Sequence, residues 1–173
     1  GNADPQVVVD AYTTAVDAFV ELDAELASRG GVPELAATLT DTLTLARAKE
    51  ARALRSAEIA GISVVGEFRS GDYEVLAELE DEELRQFARL EESQDVDLTT
   101  AVRNAMATEE VRRADALMDA VMDEGVIGGS GEPGVEPAAW EEAAAGWLGA
   151  VREAEGTSIN ATIVVGARTT YAA

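Results

Sequence analysis

The sequence predicts an all-α fold, an antiparallel bundle of about four to five long helices. Three observations support this prediction. Apolar residues recur at three- and four-residue steps, glycine and proline separate the periodic segments, and no segment shows convincing alternation of apolar and polar residues. With 173 residues and a hydrophobic content of 47%, the chain is long enough to bury a core. We expect one helical domain over residues 4–173, preceded by a cloning scar at residues 1–3.

The first two predicted helices cover about residues 5–29 and 33–66. Asp4-Pro5 provides an N-cap residue and a proline at the first helical position, and Gly30-Gly31 ends the first helix. Pro33 begins the second helix, whose length at 1.5 Å per residue is roughly 50 Å. A turn that contains Gly71 follows it.

The next two predicted helices cover about residues 73–94 and 98–124, and residues 95–97 interrupt the apolar pattern between them. The first of the two has Leu76, Leu79, Phe87 and Leu90 on one face. The second has a longer apolar face, formed by Ala107, Val111, Ala114, Leu117, Met118 and Val121.

The last predicted helix covers about residues 137–171 and begins at Pro137, after a loop rich in glycine and proline. Trp140 and Trp147 lie seven residues apart on its apolar face, where core packing explains them and a ligand platform is the alternative. For residues 159–165 the sequence permits both a strand and a helix. Ile163-Val164-Val165 favours a strand locally, whereas the lack of any other strand signal favours the helix that we expect.

Composition excludes several classes of function. The 34 acidic and 13 basic residues give a net charge of −21, which disfavours nucleic acid as a partner. Without histidine or cysteine, the usual ligands of zinc and haem are missing. We therefore expect no catalytic residues, metal or cofactor, and a carboxylate enzyme is the least favoured alternative. No run approaches the roughly 18 consecutive apolar residues that span a bilayer.

Glu50 lies in the middle of an apolar face of the second predicted helix. At 100° per residue this face also contains Leu39, Leu43, Ala46, Leu54, Ala57 and Gly61. A buried carboxylate must be protonated, have a partner or face a polar cavity. Because Arg103 shares a helical face with core residues, we predict a buried, mainly structural pair between Glu50 and Arg103.

Four basic residues, Arg47, Lys49, Arg52 and Arg55, form the densest positive patch of the chain. Arg52 and Arg55 share a face with Leu45, Ala48, Ile59 and Ile62, so they could lie beside a second buried surface and bind an anion. The alternative is that they pair with acids such as Glu58 on a solvated helix face. The acidic run 78–83 lacks the spacing of a calcium loop and is typical of a solvated face.

The order of these segments resembles a known family. The segments AYTTAVDAFVEL (11–22), LARAKEARALRSAEIAG (45–61), QFARLEESQ (86–94) and W-x6-WLGAVREAE (140–155) resemble the nitrate- and nitrite-sensing (NIT) domain of actinobacterial sensor histidine kinases. The likeness covers most of the chain but only the C-terminal half of such a domain. The family's first helical pair, with an arginine-rich motif, should precede Tyr12.

The resemblance implies an all-helical sensor that lies outside the cytoplasm between two transmembrane helices and signals to a cytoplasmic kinase. It also implies nitrate or nitrite as the ligand, with Arg52 and Arg55 as the best local candidates for binding. We expect a homodimer in the full-length receptor, attached to the membrane only through flanking helices. The alternative is a non-sensing module that binds another extracytoplasmic protein, or its own copy, through an apolar helix face.

Overall fold

The computed structural model describes residues 33–128 and 134–171, and nearly all of these residues are helical. The described part contains five helices: α1 (Pro33–Val65), α2 (Asp72–Glu91), α3 (Val96–Met106), α4 (Glu109–Gly128) and α5 (Pro137–Tyr171). The prediction of an all-α fold is confirmed. Residues 159–165 are helical, as expected. The helix predicted at 5–29 and the scar predicted at 1–3 lie outside the described residues. None of the described helices is long and apolar enough to cross a membrane.

The prediction of a single helix over about residues 98–124 is wrong, because two helices, α3 and α4, occupy that segment. The backbone N–H of Ala107 donates to the carbonyls of Arg103 and Asn104, which ends α3. The Thr108 hydroxyl then accepts a hydrogen bond from the backbone N–H of Val111 at 3.3 Å. Thr108 therefore caps α4, and the two glutamates that follow it favour a helix N-terminus. Ala107, which we expected in the core, is exposed.

The chain divides into two compact units. One consists of residues 1–43 and 158–173, and the other of residues 44–157, so α1 and α5 each contribute to both. In the first unit, the hydroxyl oxygens of Thr42 and Ser158 lie 2.7 Å apart and join α1 to α5. Ser158 is buried, and this hydrogen bond helps to satisfy its hydroxyl group.

The larger unit has two hydrophobic clusters. The first comprises Leu45, Leu90, Leu98, Val102, Ala105, Val111, Ala114, Ala143, Trp147, Val151 and Ala154. The second comprises Ile59, Ile62, Phe68, Leu76, Met118, Val121, Val135 and Trp140. The two tryptophans thus lie in different clusters, and the indole N–H of Trp140 donates to the Ser56 carbonyl at 3.0 Å, which ties α5 to α1.

The face of α1 that we assigned to the core is not its most buried face. The predicted apolar face is half-buried from Leu39 to Leu54 and exposed at Ala57 and Gly61. The neighbouring face, with Leu45, Ala48, Arg52, Arg55, Ile59 and Ile62, is buried instead. Toward the end of the helix, its Ile59 and Ile62 remove more apolar surface from water than Ala57 and Gly61 of the predicted face would. The helix is therefore rotated so that two arginines face the interior.

Candidate functional site

Arg52 and Arg55 are buried on α1, with only 2% and 4% of their surfaces exposed. The proposed alternative, a solvated face where they pair with Glu58, is wrong because Glu58 is exposed and the arginines face α2 and α4 instead. A buried guanidinium must be paired and hydrogen-bonded, since its desolvation is costly. Lys49, from the same basic patch, forms an ion pair with Glu155 of α5.

Glu83 of α2 bridges the two arginines. Its Oε1 accepts from Arg52 Nη1 at 2.9 Å, and its Oε2 accepts from Arg55 Nη1 at 3.3 Å. Glu83 is 4% exposed, so the prediction of a solvated acidic face is wrong at this position, whereas Glu78 and Asp81 are exposed as expected. One carboxylate thus holds two guanidiniums inside the protein.

Two further carboxylates complete the cluster. Arg52 Nη2 donates to Asp115 Oδ1 of α4 at 2.5 Å, and Arg55 Nη1 lies 3.2 Å from Glu80 Oε1. The side chains of Asp115 and Glu80 are 42% and 33% exposed, so water solvates them in part. Burial raises the pKa of Glu83 above its usual range. The positive charges of Arg52 and Arg55 oppose this rise, and the charge of Asp115 adds to it.

Trp147 packs against the cluster from α5. The guanidinium carbon of Arg52 lies 4.9 Å from the centroid of its ring, a distance at which cation and aromatic ring attract each other. Trp147 also belongs to the first hydrophobic cluster and is almost completely buried. Core packing therefore accounts for most of its surface, and one face of the ring meets a cation.

Among the residues that the structure describes, three buried N–H donors at this cluster find no hydrogen-bond acceptor: Arg52 Nε, Arg55 Nε and Trp147 Nε1. A guanidinium and an indole can only donate, so these groups cannot satisfy one another. Buried donors without a partner are uncommon in proteins and require an explanation. An acceptor-only ligand of small size has the chemistry to satisfy them. These three donors are therefore candidates for hydrogen bonds to a bound oxyanion.

Glu50 and Arg103, the predicted buried pair, do not lie in the buried environment that we expected for them. Glu50 is half-buried, and Arg103 is exposed. Arg103 instead lines a mainly apolar groove of about 250 Å³ between α2 and α3, together with Leu84, Phe87 and Met106. Within the described residues there is no group of three or more acidic side chains placed to hold a metal ion.

Glu83 and Asp115 were not predicted as site residues. A signal for Glu83 was available, because it lies seven residues after Leu76 and seven before Leu90, both of which are buried on α2. The same reasoning that singled out Glu50 would have identified it. Asp115 is adjacent to the buried Ala114 on α4, and its periodicity alone does not distinguish a boundary position from an exposed one.

Comparison with known proteins identifies the family. Searches of the curated proteins and of the solved structures find no match. A family model described as nitrate and nitrite sensing (NIT) matches residues 1–162, which includes every residue of the cluster around Glu83. The chain therefore belongs to the NIT family of nitrate- and nitrite-sensing domains.

Proposed function

We propose that this chain is the extracytoplasmic sensing domain of a membrane-bound sensor histidine kinase in two-component signal transduction. Nitrate or nitrite is its ligand, and Arg52 and Arg55 bind it. Family membership supports the ligand class. The observation that carries the assignment to these residues is the set of three buried, unpartnered donors at Arg52, Arg55 and Trp147.

The chemistry of nitrate fits this cluster. Nitrate is a small planar anion whose oxygens only accept hydrogen bonds, and guanidinium N–H groups recognise such planar acceptors with two parallel bonds. The indole N–H of Trp147 is a further donor of the kind that such an anion accepts from. Burial strengthens these electrostatic contacts, because the interior screens charge less than water does. The net charge of −21 repels anions at long range, so binding must come from the local donors.

Signalling would follow from a change in helix packing. The cluster joins α1, α2, α4 and α5 through Arg52, Glu83, Asp115 and Trp147. A ligand that takes over some of these contacts favours one of two packings, and α5 transmits the difference toward the membrane. The domain itself performs no catalysis in this proposal. A transmembrane helix outside this chain would pass the signal to the kinase, and the full-length receptor would be a homodimer.

Titration calorimetry of the 173-residue chain with nitrate, nitrite and chloride tests the proposal. Moderate ionic strength is appropriate, because salt screens the repulsion between the acidic protein and the anion. We expect nitrate and nitrite to bind more tightly than chloride, which cannot form parallel hydrogen bonds to one guanidinium. Arg52→Lys and Arg55→Lys keep the positive charge but lose the planar guanidinium with its parallel N–H donors. Each should weaken nitrate binding by about tenfold or more.

Arg112→Lys is the matched control, because Arg112 is exposed on α4 and forms its ion pair with Glu109 one turn away. Its nitrate affinity should equal that of the wild type. The absence of heat with nitrate and nitrite would refute the assigned ligand. Binding that both lysine variants at positions 52 and 55 leave unchanged would refute the assigned residues.

The second candidate is a non-sensing interaction module, and the groove between α2 and α3 favours it. Its lining is mainly apolar, and Leu84 at its edge is 61% exposed. A second copy of this chain could cover it with an apolar helix face. Analytical ultracentrifugation tests this: Leu84→Glu should dissociate such a dimer, and Val75→Glu, a partly exposed position on the same helix outside the groove, should not. A protein that stays monomeric at all concentrations would exclude self-association through this groove.

A further inference from the structure

We propose that Glu83 is an internal competitor for the ligand: nitrate binds at Arg52 and Arg55 only when the Glu83 carboxylate accepts a proton and gives up its charge. This inference rests on the proposed function, because it concerns the same site. It makes the domain respond to nitrate and to pH together.

The geometry places Glu83 where an anion would bind. Its two oxygens accept from Nη1 of Arg52 at 2.9 Å and from Nη1 of Arg55 at 3.3 Å, so it already occupies a donor of each guanidinium. A carboxylate and nitrate are both flat and have equivalent oxygens that accept hydrogen bonds. Because Glu83 is almost fully buried, water does not replace it at the arginines. An incoming anion that also takes up these Nη1 donors must therefore compete with Glu83 directly.

The charge balance explains why protonation is needed. Two guanidiniums face three carboxylates, those of Glu80, Glu83 and Asp115, so the cluster already has an excess of one negative charge. Adding nitrate would raise the excess to two in a poorly solvated interior, which is unfavourable. Protonation of one carboxylate removes the added charge, and the anion and the proton then enter together.

Glu83 is the carboxylate that takes up this proton. The charged groups facing it are Arg52 and Arg55 from α1, Asp115 from α4 and Glu80 from its own helix, while α5 presents the uncharged Trp147. The side chains of Asp115 and Glu80 are partly exposed to water, whereas Glu83 is almost fully buried. This burial raises the pKa of Glu83. Once protonated, Glu83 also has an O–H group that can donate to the bound anion.

The coupling between nitrate binding and protonation of Glu83 predicts how the nitrate affinity depends on pH. Below the pKa that Glu83 has in the free protein, the carboxyl is already protonated and the nitrate affinity is constant. Above that pKa each nitrate takes up one proton, so the affinity falls by up to about tenfold per pH unit. Reciprocity requires that bound nitrate raises the pKa of Glu83.

Nitrate titration calorimetry on the 173-residue chain tests this between about pH 5 and about pH 8. Each titration is repeated in two buffers with different ionisation enthalpies, which reports the number of protons taken up. Nitrate is the probe because it stays ionised throughout this range. For the wild type we expect an affinity that falls as the pH rises and an uptake that approaches one proton per nitrate.

Glu83→Gln removes the competing charge and keeps the shape of the side chain. It should bind nitrate without proton uptake, with an affinity that does not depend on pH and exceeds that of the wild type at the high end of the range. Glu78→Gln is the matched control, since Glu78 is exposed on the same helix and the variant loses the same charge. It should retain the proton uptake of the wild type.

The possible results separate the two proposals. Nitrate binding by the wild type without proton uptake overturns the role of Glu83 and leaves the nitrate site in place. That result needs no variant, so it holds even if Glu83→Gln does not fold. A folded Glu83→Gln variant that keeps the proton uptake of the wild type also overturns it. If neither protein binds nitrate at any pH, the proposed function fails, and the inference about Glu83 fails with it.

Discussion

The guanidinium carbon of Arg52 lies 4.9 Å from the centroid of the Trp147 ring, so a buried cation on α1 packs against a buried aromatic side chain on α5. The same guanidinium donates to Glu83 on α2 and to Asp115 on α4. Arg52 therefore contacts three other helices of the larger unit. A group that changes the contacts of this one side chain can alter the packing of four helices, which is what a helical sensor requires.

Removal of the Arg52 guanidinium should destabilise the protein strongly. Arg52→Ala leaves Glu83 buried with the longer of its two hydrogen bonds from arginine, the one from Arg55, and it removes the contact with Trp147. Breaking a buried ion pair in this way costs about 3–5 kcal/mol. Arg52→Lys keeps a positive charge near Glu83 and should cost less. Denaturant unfolding followed by the fluorescence of the two buried tryptophans measures both values.

Arg112→Ala provides the reference for this measurement. Arg112 is exposed, and its pair with Glu109 lies within one helix turn, so its loss should change the free energy of unfolding by no more than about 1 kcal/mol. An Arg52→Ala variant as stable as Arg112→Ala would show that the cluster around Glu83 contributes little to folding.

Gly146 and Gly149 on α5 should respond oppositely to alanine. A Cβ added at Gly146 would lie 2.9 Å from the Cβ of Glu110 on α4, closer than two carbons approach without movement. A Cβ added at Gly149 meets no atom within 4 Å. Gly149→Ala should stabilise the protein by about 0.5–1 kcal/mol, because alanine loses less backbone entropy in a helix.

Gly146→Ala should not show the stabilisation expected for Gly149→Ala, because α4 and α5 must move apart to admit the methyl group. Such overpacking costs about 1–3 kcal/mol. Thermal unfolding of the two variants side by side measures the difference. Equal unfolding temperatures for both would mean that α4 and α5 do not approach each other closely at Gly146.

More of the fold than of the candidate site could be predicted from the sequence. Pro33 and Pro137 marked the starts of α1 and α5 because proline suits the first turn of a helix, and the 3.6-residue period identified helices throughout. The period also placed Arg52 and Arg55 on a face with apolar residues, which left both a buried and a solvated position open. It reports the face of a single helix, however, and carries no information about which helix packs on that face.

The partners of the arginines therefore could not be predicted. Glu83 lies on the core face of α2, but its pairing with Arg52 depends on how far α2 is shifted along α1. The prediction for Glu50 shows the same limit, because two faces of α1 offered apolar residues and the tertiary packing decided between them. The break at Thr108 was missed for a local reason: a threonine cap followed by two glutamates was outweighed by the apolar pattern on both sides of it.

Asp95 should contribute to stability as the cap of α3. Its carboxylate accepts a hydrogen bond from the backbone N–H of Leu98 at 2.9 Å. Asp95→Ala leaves that donor without its partner and should cost about 1 kcal/mol, whereas Asp95→Asn keeps a capping oxygen and should cost much less. Chemical denaturation at neutral pH compares the two variants. If the asparagine variant were as unstable as the alanine variant, the charge near the helix terminus would matter more than the hydrogen bond.

The stability of the protein should also depend on pH through Glu83. Burial raises the pKa of Glu83 above the ordinary value of 4.5, so the folded state holds this proton more tightly than the unfolded state does. The favourable contribution of the protonated carboxyl is complete below the unfolded pKa. It is lost as the pH rises from there through the raised pKa of the folded state, and above that pKa no further loss occurs.

The Glu83→Gln variant has no ionisable group at position 83. The difference in unfolding free energy between this variant and the wild type therefore isolates the contribution of Glu83 to the pH dependence of stability. Relative to the wild type, the variant should gain stability as the pH rises through this window, by at most about 1.4 kcal/mol per pH unit. Subtracting the variant from the wild type cancels the titration of the other acidic residues, which would otherwise dominate at a net charge of −21. Glu78→Gln should show no such trend. A difference that stays constant with pH would mean that Arg52 and Arg55 fully offset the effect of burial on Glu83.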